Sequence, residues 1–216
     1  MLERTWWRLI RFGFRLLYNE LAFTYDWVSW IVSLGAWKCW GKTSLKHVQA
    51  ERGDAILELA HGTGNLQVAL NDAGFHAVGY DLSSAMGKIA QGKLRKHNCP
   101  AQLTQGYAQA LPFADGTFAS VVSTFPTDFI VAAETLSEVH RVLKPGGVLV
   151  VVPNALLVGG GWIGRGVEWL YRITGQRETA GGQEAIAEHF APFAVQVVEE
   201  RCPRSVVTVI VARKVQ

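Results

Sequence analysis

Between residues 55 and 152, short aliphatic runs alternate with stretches whose apolar positions recur every three or four residues. The runs predict strands over 55–60, 75–80, 101–105, 118–123 and 147–152, and the helical-period stretches predict helices over 65–73, 84–96 and 129–143. Such alternation is the pattern of a parallel sheet with crossover helices. Lys144-Pro145-Gly146-Gly147 stops the last of these helices and turns the chain into the fifth strand. Two further apolar runs, 193–199 and 205–213, stand close together around Pro203. They predict an antiparallel pair added to one edge. The expected fold class is therefore α/β, with seven strands, mostly parallel, and helices on both faces.

The first fifty residues have a different texture. Apolar residues crowd at helical spacing from Thr5 to about Leu17, while Arg4, Arg8, Arg11 and Arg15 fall within about 40° of one line at 100° per residue. A second helix is predicted from Trp27 to Trp40. This region holds six of the eight tryptophans, and seven Lys/Arg against three Asp/Glu. Its arginines exclude the apolar core of a secretory signal, and its longest uncharged stretch, eleven residues from Trp27 to Trp37, falls short of the roughly 20 that a spanning helix requires. Residues 1–50 are thus expected to form an aromatic helical segment, either lying on an anionic membrane surface or capping the domain formed by 51–216. Within that domain, residues 156–192 open on Gly159, Gly160, Gly161, Gly164 and Gly166 before an aromatic stretch. That is the composition of a cover over a ligand crevice, and equally of an ordinary packed connection.

Composition narrows the class without naming it. At 216 residues and 49% hydrophobic, the chain fills a sizeable core. A net charge of +3 is too small to indicate nucleic-acid binding by itself. Cys39, Cys99 and Cys202 are scattered and odd in number, which points to neither a disulfide framework nor a zinc site, and a reducing cytoplasm fits best.

Candidate chemistry starts at Ala60-His61-Gly62-Thr63-Gly64, a turn after a buried strand and before a helix, where glycines permit a tight bend and close approach by a ligand. A dinucleotide fingerprint needs a third glycine at position 67, which is Gln67, so an NAD-dependent oxidoreductase is disfavoured. Asp81 ends the second strand, where sheets of this type hold an acid against ribose hydroxyls. Capping the next helix is its alternative role, which Ser83 or Ser84 could also fill.

These segments together resemble the class I S-adenosylmethionine-dependent methyltransferases, in particular the small-molecule group of ubiquinone and menaquinone C-methyltransferases. The matching pieces are Ile56-Leu57-Glu58-Leu59-Ala60-His61-Gly62-Thr63-Gly64, Gly79-Tyr80-Asp81-Leu82-Ser83, Ala110-Leu111-Pro112-Phe113 with Gly116-Thr117-Phe118, and Arg141-Val142-Leu143-Lys144-Pro145-Gly146-Gly147. Tyr18-Asn19-Glu20-Leu21-Ala22 and Tyr25-Asp26 look like the opening of the same group. The resemblance implies a Rossmann-like sheet, S-adenosyl-L-methionine as cofactor and S-adenosyl-L-homocysteine as product. It implies cofactor contacts from Tyr25, Glu58, Ala60, His61, Gly62, Gly64, Asn65, Asp81, Leu82, Met86, Ala108, Gln109 and Thr124. In that scheme Glu58 and the turn hold the methionine part, Asp81 the ribose, Leu82 and Met86 the nucleoside, and Ala108 and Gln109 the adenine. The chain departs from the pattern at Tyr107, where many relatives carry aspartate, and at Ala119, usually acidic. The resemblance also makes the side chain of His61 a passenger in a loop that works through its backbone.

Methyl transfer from a sulfonium requires alignment and no metal, and a base only where the acceptor must lose a proton. Asp128 and His189 are the weak candidates for that base, whereas His140 beside Arg141 reads as a helix-end residue. Thr124-Phe125-Pro126 is a poor match to the motif of enzymes that methylate base amino groups, and no target-recognition segment accompanies it, so nucleic acid is not expected as a partner. The expected acceptor is small and lipophilic, a quinone precursor or a phospholipid amine, met at the inner membrane face. The alternative is a non-catalytic protein that keeps the fold and the cofactor.

Overall fold

The computed structural model describes residue 13, residues 20–158 and residues 188–215. Apart from residue 13, the expected helix over residues 5–17 lies outside the described residues, as do Tyr18 and most of the 156–192 cover. Among the described residues, seven strands form one sheet: β1 (Ala55–Leu59), β2 (His76–Asp81), β3 (Gln102–Gln105), β4 (Phe118–Thr124), β5 (Leu143–Leu157), β6 (Ala194–Cys202) and β7 (Ser205–Arg213). Their order is β3-β2-β1-β4-β5-β7-β6. β1 to β5 run parallel, while β7 is antiparallel to both β5 and β6. The strands follow the predicted runs to within a few residues, except that β5 starts at Leu143, four residues early, and runs on to Leu157, five residues past the expected end, and its register against β4 shifts between Phe118 and Ser120. Lys144-Pro145-Gly146-Gly147 therefore forms an irregular opening to the strand.

Among the described residues there are five α-helices of several residues: α1 (Tyr25–Val32), α2 (Trp37–Thr43), α3 (Asn65–Asp72), α4 (Ser84–Lys96) and α5 (Ala133–Val142). Ser83 caps α4 by accepting a hydrogen bond from the Met86 N–H, which leaves Asp81 free of the capping task. The single helix expected from Trp27 to Trp40 is two. Leu34 (φ 50°) and Gly35 (φ 85°) take left-handed backbone between them, and the Gly35 N–H bonds to the Trp30 carbonyl, closing α1.

The break lets the two helices use their tryptophans oppositely. On α2, Trp40 is fully buried and donates through Nε1 to Ser205 Oγ at 2.7 Å, while Trp37 stacks on Phe125 with ring centroids 4.2 Å apart. On α1, Trp27 and Trp30 are 72% and 61% exposed, with Phe23, Ile31 and Leu34 exposed around them. The sheet's two faces carry separate cores, one built from residues such as Leu57, Val121, Leu149 and Val139, the other from Ile56, Leu70, Val150 and Trp40.

The expectation that the cysteines remain apart is corrected. Cys39 on α2 and Cys202 at the end of β6 form a disulfide, with Cα atoms 6.1 Å apart. They are separated by 163 residues in sequence, and no local spacing carries that information. Only the packing of α2 against the β6–β7 end of the sheet brings them together.

Candidate active site

Four loops meet along the carboxyl ends of the parallel strands: residues 60–64 after β1, 82–83 after β2, 106–109 after β3 and 125–127 after β4. Strand order reverses between β1 and β4, and open sheets of this kind take their ligands at such a switch point. The turn after β1 starts with Ala60 in left-handed backbone (φ 57°), whose N–H bonds to the Tyr80 carbonyl. Gly62 and Gly64 follow at φ 52° and 79°. The two glycines serve different ends. A Cβ on Gly62 would meet no atom within 4 Å, so the turn is open there, whereas one on Gly64 would lie 2.8 Å from Ala90 Cβ. Gly64 is the contact at which α4 closes on the turn.

Asp81 spans this turn. Its Oδ2 accepts from the Gly62 N–H at 2.8 Å and its Oδ1 from the Ser83 N–H at 2.8 Å. A carboxylate oxygen has two acceptor directions, so both oxygens keep one for a ligand diol. His61 is 5% exposed, and its Nδ1 lies 2.9 Å from the Gly62 carbonyl oxygen. A Cβ on Gly79 would come within 2.9 Å of the ring, so the imidazole fills the space that this glycine leaves over β2. Burial lowers its pKa, against the pull of Asp81. The imidazole is thus a packing group whose charged form burial disfavours. Glu58 is 1% exposed and accepts from Gln67 Nε2 at 2.8 Å. Burial pushes its carboxyl up to about 8; Asp81 adds to the rise, and the Gln67 hydrogen bond and Lys93 oppose it.

A polar cluster absent from the sequence reading ties α1 to the turn. Asp26 Oδ1 accepts from Thr63 Oγ1 at 2.6 Å and Asn65 Nδ2 at 3.0 Å, while its Oδ2 accepts from Lys93 Nζ at 2.7 Å. Lys93 Nζ also reaches Asn65 Oδ1 (2.7 Å) and Thr63 Oγ1 (3.1 Å). Burial works against the charge on Asp26, but the bonds from Lys93, Thr63 and Asn65 outweigh it and hold the carboxyl below its ordinary value. Burial likewise lowers Lys93, offset in part by Asp26. The available signal was a lysine seven residues after Met86 and three after Ala90, on the buried face of α4.

The remaining predicted residues divide. Leu82 (54% exposed), Gln109 (exposed) and Thr124 (partly buried) stand at the same edge. Met86 and Ala108 are buried beneath it. Tyr25 is partly buried and meets Trp37 edge to face at 6.1 Å, and Tyr107, at the position of the missing aspartate, is 67% exposed. Asp128 is exposed at the start of a 3-10 turn, four residues beyond the carboxyl end of β4. His189 is not brought there. Ala194, which begins β6, pairs with Arg213, which pairs with Val148 at the amino end of the parallel core of β5. The chain leading into β6 therefore lies at the opposite edge of the sheet, where Phe193 meets His140 at 5.4 Å. Arg141 is likewise structural: it bonds Glu138 Oε1 and Oε2, Asp115 Oδ1 and the carbonyls of Leu111 and Phe113, pinning the loop before β4 onto α5. Among the described residues, no three His, Cys, Asp or Glu side chains gather as a metal site.

A sheet of this order, with an open glycine turn after β1 and an acid ending β2, defines the Rossmann-like methyltransferase fold. The chain belongs to the ubiE/COQ5 methyltransferase family, whose sequence pattern matches residues 14–156. A demethylmenaquinone methyltransferase of Chlorobaculum parvum is 36% identical over 148 residues, covering 66% of this chain and 60% of the relative. Another, from Beutenbergia cavernae, is 37% identical over 136 residues, covering 62% and 55%. The chain thus spans about six-tenths of the length of these curated relatives. Among solved structures, phosphoethanolamine N-methyltransferase 2 of Haemonchus contortus, in complex with S-adenosyl-L-methionine, matches with a TM-score of 0.59 at 17% identity over 84% of this chain and 53% of that one. Geranyl diphosphate C-methyltransferase of Streptomyces coelicolor matches with a TM-score of 0.58 at 15% identity, over 81% and 78%. At such identities the likeness is one of fold.

Proposed function

We propose that the protein binds S-adenosyl-L-methionine in the turn after β1 and transfers its methyl group to a lipophilic quinone precursor, leaving S-adenosyl-L-homocysteine. The observation that carries this reading is the Asp81 carboxylate held across the open Gly62 turn with an acceptor direction to spare on each oxygen. The residues present suit the cofactor. Asp81 would take the ribose diol, Glu58 and the backbone of 60–64 the amino-acid end, Leu82 the nucleoside over a floor made by Met86, and Ala108 with Gln109 the adenine. Tyr25, Asn65 and Thr124 border the same space. When bound, the cofactor supplies an electrophilic methyl on a leaving group that is already activated, so alignment can supply much of the rate. Asp128, beyond the carboxyl end of β4, is then the candidate carboxylate for an acceptor proton. The names of the curated relatives favour a quinone precursor over a phospholipid amine. Incubation with methyl-labelled S-adenosyl-L-methionine and a chemically reduced demethylnaphthoquinone is expected to move label into the organic phase. Cofactor binding with no transfer to that acceptor would instead favour the non-catalytic reading.

The exposed face of α1 supports delivery of the acceptor from a lipid surface. Leu21, Phe23, Trp27, Trp30, Ile31 and Leu34 are each more than 40% exposed, a patch of the kind that marks an interaction surface. Lys38 and Lys42 follow, exposed, on the next helix, where they suit anionic headgroups, while Lys46 is paired with Glu200. No described helix is long and apolar enough to cross a membrane. Replacing Trp27 and Trp30 together by serine is expected to lower partitioning onto phosphatidylglycerol vesicles by about tenfold, or ~1.4 kcal/mol, with little change in melting temperature because both side chains are exposed. Sedimentation with vesicles measures this, and undiminished binding would remove the membrane from the proposal.

A further inference from the structure

Glu58 is enclosed more completely than any other carboxylate among the described residues, and no cation touches it. Its one hydrogen-bond donor is the neutral amide of Gln67, itself fully buried, whose Oε1 has no partner. The charged and titratable groups that face it are few. From the end of β2 comes Asp81, whose negative charge opposes ionisation of Glu58. From α4 comes Lys93, which favours ionisation but has its ammonium committed to Asp26, Asn65 and Thr63. From the turn comes His61, whose charged form burial disfavours. A carboxylate walled off in this way is costly to charge until a cation enters beside it.

We propose that Glu58 carries a proton in the cofactor-free protein and gives it up to solvent when the ammonium of the cofactor's amino-acid end takes its place, so that cofactor capture releases one proton. The O–H bond of the carboxyl breaks, the proton passes to water, and an ammonium N–H bonds to the carboxylate left behind. This rests on reading the turn as a S-adenosylmethionine site. The sign follows from linkage: binding is weakened wherever Glu58 must first be deprotonated, so affinity rises with pH toward the free carboxyl's pKa of about 8 and falls again once the ligand's own ammonium loses its proton.

Calorimetry with S-adenosyl-L-homocysteine at pH 7, in phosphate, HEPES and Tris, is expected to give heats that vary with buffer ionisation enthalpy, corresponding to release of about one proton. The dissociation constant is expected to fall about tenfold per pH unit between pH 6 and 7.5. Glu58→Gln should abolish both dependences, while His61→Cys should keep them. A cofactor-free readout is also available. Because the folded carboxyl is raised from 4.5 to about 8, the stability it confers is full at low pH and is lost as pH rises through 8. The melting temperature of the natural protein should therefore drop between pH 6 and 9 more than that of Glu58→Gln. Buffer-independent heats in the natural protein, or a proton still released by Glu58→Gln, would overturn the coupling alone. Absence of binding at any pH would overturn the cofactor assignment and the coupling with it.

Discussion

Replacing Asp81 by alanine is expected to weaken binding of S-adenosyl-L-homocysteine more than tenfold, a loss above ~1.4 kcal/mol. Two effects combine. The ribose diol loses its charged acceptor, and hydrogen bonds to a charged group are each worth about 1.5–3 kcal/mol. The Gly62 and Ser83 N–H groups lose the 2.8 Å bonds that set the shape of the turn and the start of α4, so the backbone surface that meets the ligand is less well ordered before binding. His61→Cys is the companion measurement and is expected to leave the dissociation constant within a few fold. Its ring packs over Gly79 and is 5% exposed, so the backbone, not the imidazole, is what the turn presents. A larger loss for His61→Cys than for Asp81→Ala would reverse the assignment of roles in this loop.

Replacing Gly64 by valine is expected to have the largest effect on folding. Gly64 has φ +79°, which is strained for a β-branched residue by roughly 1–2 kcal/mol. The added Cβ would sit 2.8 Å from Ala90 Cβ and 3.1 Å from its Cα, leaving no flexible neighbour to move aside. Overpacking of that kind costs typically about 1–3 kcal/mol. Together they predict a fall in melting temperature on the order of 10 °C for a chain of this size. Gly62→Ala provides the contrast. It shares the left-handed backbone but faces open space, so its melting temperature should fall by only a few degrees, while ligand affinity suffers because the new methyl group occupies the side from which the ligand approaches. Thermal denaturation of the two variants side by side decides the matter. Equal destabilisation would mean that the approach of α4 to the turn is not what requires glycine at position 64.

Much of the architecture was legible in the sequence because it rests on local periodicity. Strand and helix patterns, a glycine turn after an aliphatic run, and an acid at the end of the next run are each set by neighbours within about twenty residues. The antiparallel pair at the carboxyl end was readable for the same reason. The helix expected from Trp27 to Trp40 was not, since its apolar pattern runs on through the Leu34-Gly35 break. The stop there is local, a left-handed Gly35 whose N–H bonds to the Trp30 carbonyl, and the continuous apolar pattern masked it.

What the tertiary structure alone decided depends on strands that are neighbours in the sheet but not in the chain. Pairing of Cys39 with Cys202, the sorting of tryptophans into buried Trp40 and exposed Trp27, and the reach of Lys93 to Asp26 all join residues more than sixty positions apart or on different helices. The same holds for His189, a histidine that sequence places near the acceptor side and that lies in the chain leading into β6, whose start pairs, through Arg213, toward the amino end of the parallel core. The sequence determined which residues could bind a nucleoside, since the turn and its acid are local. The ease with which Glu58 takes a charge is set by the fold, because the energy of a carboxylate depends on everything that surrounds it in space, and in this protein its surroundings include an amide, a second acid and a lysine already engaged elsewhere.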